Sequence, residues 1–201
     1  ALAHEYPNIF ASVGVHPDEQ KGHDPSVDEL VQLANDPRVV AIGETGLDYY
    51  RIKGDMTWQQ DRFRRHIRAA CVTRKPLIIH TREAAADTIR VLQEEGAKSV
   101  GGVMHCFTES WETARSALDL GFYISFSGIV TFRNAELLRA VAAKVPADRL
   151  LIETDAPYLA PQPWRGKRNE PAAMVATAQL MADQLQIPLA QLAAITYKNA
   201  E

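Results

Sequence analysis

Five residues able to bind a metal or move a proton each close a short apolar run. They are His16 in GVHP, Glu44 in IGETGLD, His80 in LIIHTR, His105 in GVMHCF and Asp155 in LLIETDAP. Imidazole nitrogens and carboxylate oxygens together form a donor set suited to Zn²⁺, Mn²⁺ or Mg²⁺. Singly, each is weak evidence. A lone histidine at a strand end is usually a hydrogen-bonded loop residue, and a lone carboxylate there usually caps the next helix. Crowded together without an ion, however, the same groups would suffer desolvation and mutual repulsion. Glu44, His80, His105 and Asp155 are therefore read as ligands of one or two divalent ions. An ion so held lowers the pKa of water and activates it for hydrolysis. Asp155, at a strand tip, is the residue expected to accept the proton. Glu153 shares a side with Asp155 if this stretch is extended, because strand side chains alternate with a period of two. It is either a further metal-associated carboxylate or a buried partner for a cation.

Apolar runs at Ile9–Val15, Val39–Gly43, Leu77–Ile79, Gly101–Met104, Phe122–Phe126 and Leu150–Ile152 must position these groups. They are near-continuous rather than alternating, as in parallel strands covered on both faces. The stretches between them read as helices. Thr57 and Gln60 have capping-box spacing ahead of the face Phe63, Ile67, Ala70 and Cys71. Gly96 and Gly121 stand where a left-handed residue ends a helix. Asn134 can cap the stretch containing Leu137, Leu138 and Val141, and Pro171 and Pro188 suit first helical positions. Strands alternating with helices predict a parallel α/β fold, either an open doubly wound sheet or most of a (β/α) barrel. No glycine-rich dinucleotide loop follows the first strand. In a barrel the carboxyl ends of several strands carry the active site, which is where the five residues fall.

With 201 residues, 46% hydrophobic and 23% charged, the chain suits one globular domain. No apolar run approaches the roughly 18 residues of a membrane span, so no membrane association is expected. A net charge of −3 excludes a protein that coats nucleic acid non-specifically. Any nucleic acid must be held by a few local cations. Cys71 and Cys106 form no CxxC pair and are expected as small buried thiols in a reducing cytoplasm.

The motifs GVHP, GETGLDYY, HTRE, GVMHCFT, GFYISFSG and ETDAPYLAP, followed by RGKRNEP, resemble the TatD family of metal-dependent deoxyribonucleases, close to its YcfH-type members. The resemblance runs from about Ile9 to the C-terminus. It implies a TIM-type (β/α) barrel of the metal-dependent hydrolase kind and cleavage of DNA phosphodiester bonds, as a 3′–5′ exonuclease, with Mg, Mn or Zn ions. It also implies that Glu44 bridges two metals, that His80 and His105 serve one of them, and that Asp155 is the aspartate of the last strand. His16 then lies near the substrate phosphate. Arg82 and the Trp164–Arg168 loop, Arg165 included, are placed to hold phosphates and stack a base.

The resemblance departs at the N-terminus. Family members open with a strand carrying an HxH pair, whereas here His4 stands alone in AHEYP. The expectation is one N-terminally incomplete barrel domain over residues 1–201, with six of eight strands. Its exposed sheet edges would then invite a homo-oligomer. Two other functions compete with the nuclease: hydrolysis of an aminoacyl or other carboxylic ester or amide, and a truncated barrel with residual metal binding and little activity. Arg82, Arg165, Lys167 and Arg168 favour phosphate.

Overall fold

The computed structural model describes residues 1–50, 52 and 54–201, and in it strands alternate with helices up to a final helix pair. The chain divides into two units, each described in turn. The first comprises Ala1–Met104 and Asp119–Phe122. Here β1 (Ala11–Val13), β2 (Val39–Asp48), β3 (Leu77–Arg82) and β4 (Gly102–Met104) lie in chain order, each parallel to the next. Parallel neighbours require a crossover, supplied by α2 (Val27–Ala34) between β1 and β2, α3 (Thr57–Thr73) between β2 and β3, and α4 (Ala85–Glu94) after β3. A single-turn helix, α1 (Leu2–Glu5), precedes β1.

Two helices of this unit, α2 and α3, begin beside a side chain that accepts from an early N–H group. Ser26 accepts from the Glu29 amide while the Glu29 carboxylate accepts from Ser26, a reciprocal box worth about 1 kcal/mol. At α3 the Thr57–Gln60 pair does not play this part. Asp55 does, accepting from the Thr57 amide at 2.9 Å. Beyond it, Gln59, Arg62, Phe63, His66, Ile67 and Ala70 recur at helical spacing and are buried. Phe63 and Ile67 are fully enclosed, as are Ile42, Leu47, Leu77 and Ile79 of the strands. Each large side chain so buried contributes about 1.5–3 kcal/mol.

Strand β2 runs well past its apolar stretch, and what permits this is Gly46. It pairs in register with His80, and a Cβ at residue 46 would lie 1.9 Å from the His80 carbonyl oxygen. Its φ of 138° is also one that L side chains rarely adopt. Gly46→Ala is therefore expected to destabilise the protein by more than about 4 kcal/mol, beyond the ordinary range of point substitutions. Urea unfolding followed by circular dichroism reads this, and a loss below about 1 kcal/mol would contradict the close approach.

The second unit comprises His105–Leu118 and Tyr123–Glu201. It holds most of α5 (Trp111–Asp119) and of β5 (Phe122–Phe126), then α6 (Glu136–Ala142), β6 (Leu150–Ile152), α7 (Met174–Leu185) and α8 (Leu189–Ala200). Strands β5 and β6 are parallel, with Ile124 opposite Leu150 and Phe126 opposite Ile152. Ile124, Phe126, Val130, Met181 and Leu192 are enclosed, and Phe107 meets Phe126 edge to face at 6.2 Å. Gly96 and Gly121 take the left-handed conformation expected of them, with φ of 69° and 85°. Helix α6 starts at Glu136 without a side-chain cap from Asn134. Pro171 opens a 3₁₀ turn leading into α7, and Pro188 stands one residue before α8.

Both cysteines are free thiols, but neither is fully buried. Each sulfur instead lies beside a serine hydroxyl, Cys71 by Ser99 at 3.5 Å and Cys106 by Ser127 at 3.1 Å. Among the described residues, no helix is long and apolar enough to cross a membrane.

Candidate metal centre

In the first unit, β2, β3 and the segment after β1 bring three of the five sequence-marked residues together. Glu44, Gly46 and Asp48 are spaced by two along β2 and so share a face. His80 stands opposite Gly46, and the two carboxylates flank it. His80 Nδ1 lies 3.0 Å from Glu44 Oε1, and Nε2 lies 2.9 Å from Asp48 Oδ2. His16, just beyond β1, places Nε2 3.6 Å from the same Glu44 oxygen, and its ring centroid lies 4.6 Å from that of His80. Its other nitrogen is paired with Asp18. Burial opposes charge on the His80 ring, yet the Glu44 and Asp48 carboxylates outweigh it and hold the imidazole pKa above its ordinary value.

His16, Glu44 and His80 each offer a ligand atom, all within 4.8 Å of one another. Bonds of about 2.0–2.2 Å to nitrogen and oxygen donors let one ion draw such atoms together with little movement. Two imidazoles and a carboxylate suit zinc or manganese. The donor set therefore fits a divalent ion.

The second unit holds another such group: His105, Glu153 and Asp155, again within 4.8 Å. His105 directly follows Met104 in the chain, and the two carboxylates follow β6. His105 Nδ1 lies 2.8 Å from Glu153 Oε1 and Nε2 lies 3.3 Å from Asp155 Oδ1. Glu153 also accepts from the Cys106 amide at 3.1 Å. Among the described residues, Glu153 thus faces His105. Asp155 has φ of 55°, sparsely populated for a residue with a side chain and a form of strain that concentrates at functional sites.

The loop leaving Asp155 is pinned by a residue that sequence reasoning passed over. Asn169, 2% exposed, donates through Nδ2 to the carbonyls of Thr154 (2.6 Å) and Tyr158 (2.7 Å). Its Oδ1 accepts from the Glu170 amide. The two carbonyls bracket Asp155, so one amide sets the path of the backbone there. Gly128 leaves room for the loop, since a Cβ on it would lie 2.3 Å from the Leu159 carbonyl oxygen.

The residues expected to touch substrate are cations laid on aromatic rings. In the first unit the Arg82 guanidinium lies 3.6 Å from the centre of the Tyr50 ring. In the second, Arg165 lies 4.3 Å from that of Phe132. Trp164, Lys167, Arg168, Glu170 and Ala160 border an open hollow of about 360 Å³. His16, expected near a phosphate, stands against Glu44 and His80. Asp48 had a readable signal, its two-residue spacing from Gly46 and four-residue spacing from Glu44. The apolar run ended too early to mark residue 48 as part of the strand.

Known proteins resemble the whole chain. The TatD related DNase family profile matches residues 1–201. The uncharacterized metal-dependent hydrolase YcfH of Escherichia coli K12 is 53% identical over 199 residues, covering 98% of this chain and 74% of that protein. The 3′-5′ ssDNA/RNA exonuclease TatD of Edwardsiella piscicida is 38% identical over 206 residues, covering 99% and 79%. Among solved structures, YJJV, a TatD homologue from Escherichia coli K12, superposes with a TM-score of 0.90 at 29% identity, covering 98% of this chain and 77% of that one. Parallel strands with alternating helices, imidazole–carboxylate clusters and this likeness converge on one assignment: the chain belongs to the TatD family of metal-dependent hydrolases, with their TIM-barrel type of fold.

Proposed function

We propose that the protein hydrolyses phosphodiester bonds in DNA, removing nucleotides from the 3′ end. The observation that carries this reading is the Arg82–Tyr50 stack. Arg82 lies two residues beyond His80 on β3, so both side chains leave the same face of the strand. A guanidinium held over a ring beside a metal-type donor set suits a phosphate, through paired N–H donors. A neighbouring ring suits a base. The 38% identity to a protein named as a 3′-5′ ssDNA/RNA exonuclease supports the same substrate class.

In this reading Glu44 and His80, with His16, hold a divalent ion in the first unit, and His105 and Asp155, with Glu153, do so in the second. Such ions polarise the phosphoryl oxygen and lower the pKa of water. Asp155, a quarter exposed, accepts the proton released on attack. Arg82 in the first unit, and separately Arg165 in the second, can each bind phosphate oxygens. His16 serves the substrate phosphate only if it is released from the Glu44–His80 group. Free thiols at Cys71 and Cys106 accord with a cytoplasmic location, which forms part of the proposal.

A single-stranded oligonucleotide labelled at its 5′ end, incubated with the protein and Mg²⁺ or Mn²⁺, tests the reading. A ladder shortening from the 3′ end is expected. No cleavage with any divalent ion, or faster turnover of an aminoacyl ester, would overturn it. DNA binding should also depend only modestly on salt, because a chain of net charge −3 neutralises about two to four phosphates. Fluorescence anisotropy with Ca²⁺ should give a log–log slope no steeper than about −4, and charge reversal at Arg165 and Arg168 should flatten it. A slope beyond about −6 would contradict a locally held substrate.

A further inference from the structure

His80 meets carboxylates at both ring nitrogens, Glu44 at Nδ1 (3.0 Å) and Asp48 at Nε2 (2.9 Å). A neutral imidazole has one N–H and one lone pair, so it cannot serve both alike. The two acids are held very differently. Asp48 is 5% exposed and fixed on every side. Its Oδ1 accepts from the Tyr50 amide at 2.9 Å. Its backbone N–H donates to Gln59 Oε1 and its carbonyl accepts from Gln59 Nε2, each at 2.9 Å. Gln59 is itself fully buried on α3, so the helix grips the end of β2 much as a neighbouring strand would. Glu44 is more open and shares its oxygen with His16.

We propose that Asp48 is a positioning residue that keeps the proton on His80 Nε2 and so turns the Nδ1 lone pair toward Glu44 and His16, where the divalent ion binds. The proposal rests on the metal role given above to Glu44, His80 and His16. A ligating histidine is commonly oriented by an acceptor at its other nitrogen, and losing such a partner weakens metal binding about 10- to 100-fold. The Tyr50 amide makes the chemistry sharper. In Asp48→Asn the side-chain oxygen is retained by that amide, which leaves the NH₂ group facing His80 Nε2. Donor would then meet donor unless the ring moves its proton to Nδ1, which would withdraw the lone pair from the metal. Asp48→Ala removes the partner without imposing the wrong tautomer.

Long-range ¹H–¹⁵N spectra of the full chain, titrated with Zn²⁺ alone, read the tautomer and the affinity at His80, assigned by comparison with His80→Gln. Wild type is expected to show Nε2–H with Nδ1 shifted by Zn²⁺. Asp48→Asn is expected to show Nδ1–H and about 10- to 100-fold weaker Zn²⁺ binding, with Asp48→Ala weakened less. Alanine as damaging as asparagine, or more so, would reduce Asp48 to packing and overturn the proposal. So would Nδ1–H in wild type while Zn²⁺ still shifts the ring, a result that stands even if a variant does not fold. Wild-type His80 nitrogens unmoved by Zn²⁺ would instead remove the metal role of the cluster, and the Asp48 proposal with it.

Discussion

Alanine at His80 or at His105 is expected to weaken divalent-metal binding and to cut the hydrolytic rate about a thousandfold. Each imidazole is the nitrogen donor between two carboxylates, Glu44 and Asp48 around His80, and Glu153 and Asp155 around His105. Without the ring, each candidate group loses a nitrogen donor, leaving His16 and Glu44 in the first and Glu153 and Asp155 in the second. A bound ion contributes several kcal/mol to the transition state, and each 1.36 kcal/mol is tenfold in rate. His4 and His23 supply the controls. Each is an exposed histidine paired with one surface carboxylate, Asp36 and Glu29 respectively. Exposed pairs of that kind contribute little. Calorimetry with Zn²⁺ or Mn²⁺, followed by rate measurement, should separate the two classes. Equal losses at all four histidines would remove the case for either cluster.

Acid should weaken the fold through a histidine outside both clusters. His66, fully enclosed on α3, accepts from the Val15 amide through Nε2 at 3.0 Å. Its Nδ1 donates to the Arg62 carbonyl at 2.9 Å. The bond from Val15 needs the Nε2 lone pair and so the neutral ring, whereas the bond to Arg62 survives protonation. Burial pushes its pKa down from 6.5 to about 4. Because the folded value lies below the unfolded one, the unfolded chain takes up the proton first as pH falls. The stability that His66 contributes is therefore complete above pH 6.5 and lost progressively between about 6.5 and 4. The shift corresponds to about 3 kcal/mol, most of it gone by pH 4.5. Urea unfolding at pH 7.5 and 4.5, wild type against His66→Gln, isolates this share from the surface carboxylates. An equal loss of stability in both proteins would show that His66 does not carry it.

The strands were legible because residues covered on both faces must be apolar throughout. Phe122–Phe126 and Leu150–Ile152 follow the apolar runs residue for residue. Strand β2 was readable only to Gly43, since its continuation alternates polar and small residues that look like the start of a loop. Glu44, His80, His105 and Asp155 stood out because each closes an apolar run. Which of them meet is a matter of register, and register is not written in one strand alone. Asp48 faces His80 because Gly46 pairs with it, and nothing near residue 80 announces that pairing. Asn169 lay in a polar stretch, RGKRNEP, where one more amide carries no periodic signal. Its two carbonyl partners lie 11 and 15 residues back along the chain.

The Asn169 clamp has an evolutionary consequence. Thr154, Tyr158 and Asn169 form the stem of the loop, and the stem is stitched by one side chain. Trp164, Arg165, Lys167 and Arg168 sit in its crown, all exposed. Substitutions in a crown tethered this way do not pull on the stem, so Asp155 keeps its place whatever sequence the crown acquires. Under the proposed function, recognition can drift from one polymer or terminus to another while Asp155, its proton acceptor, stays where it is. Selection can thus act on substrate choice and on chemistry as two separate traits, joined by a single amide.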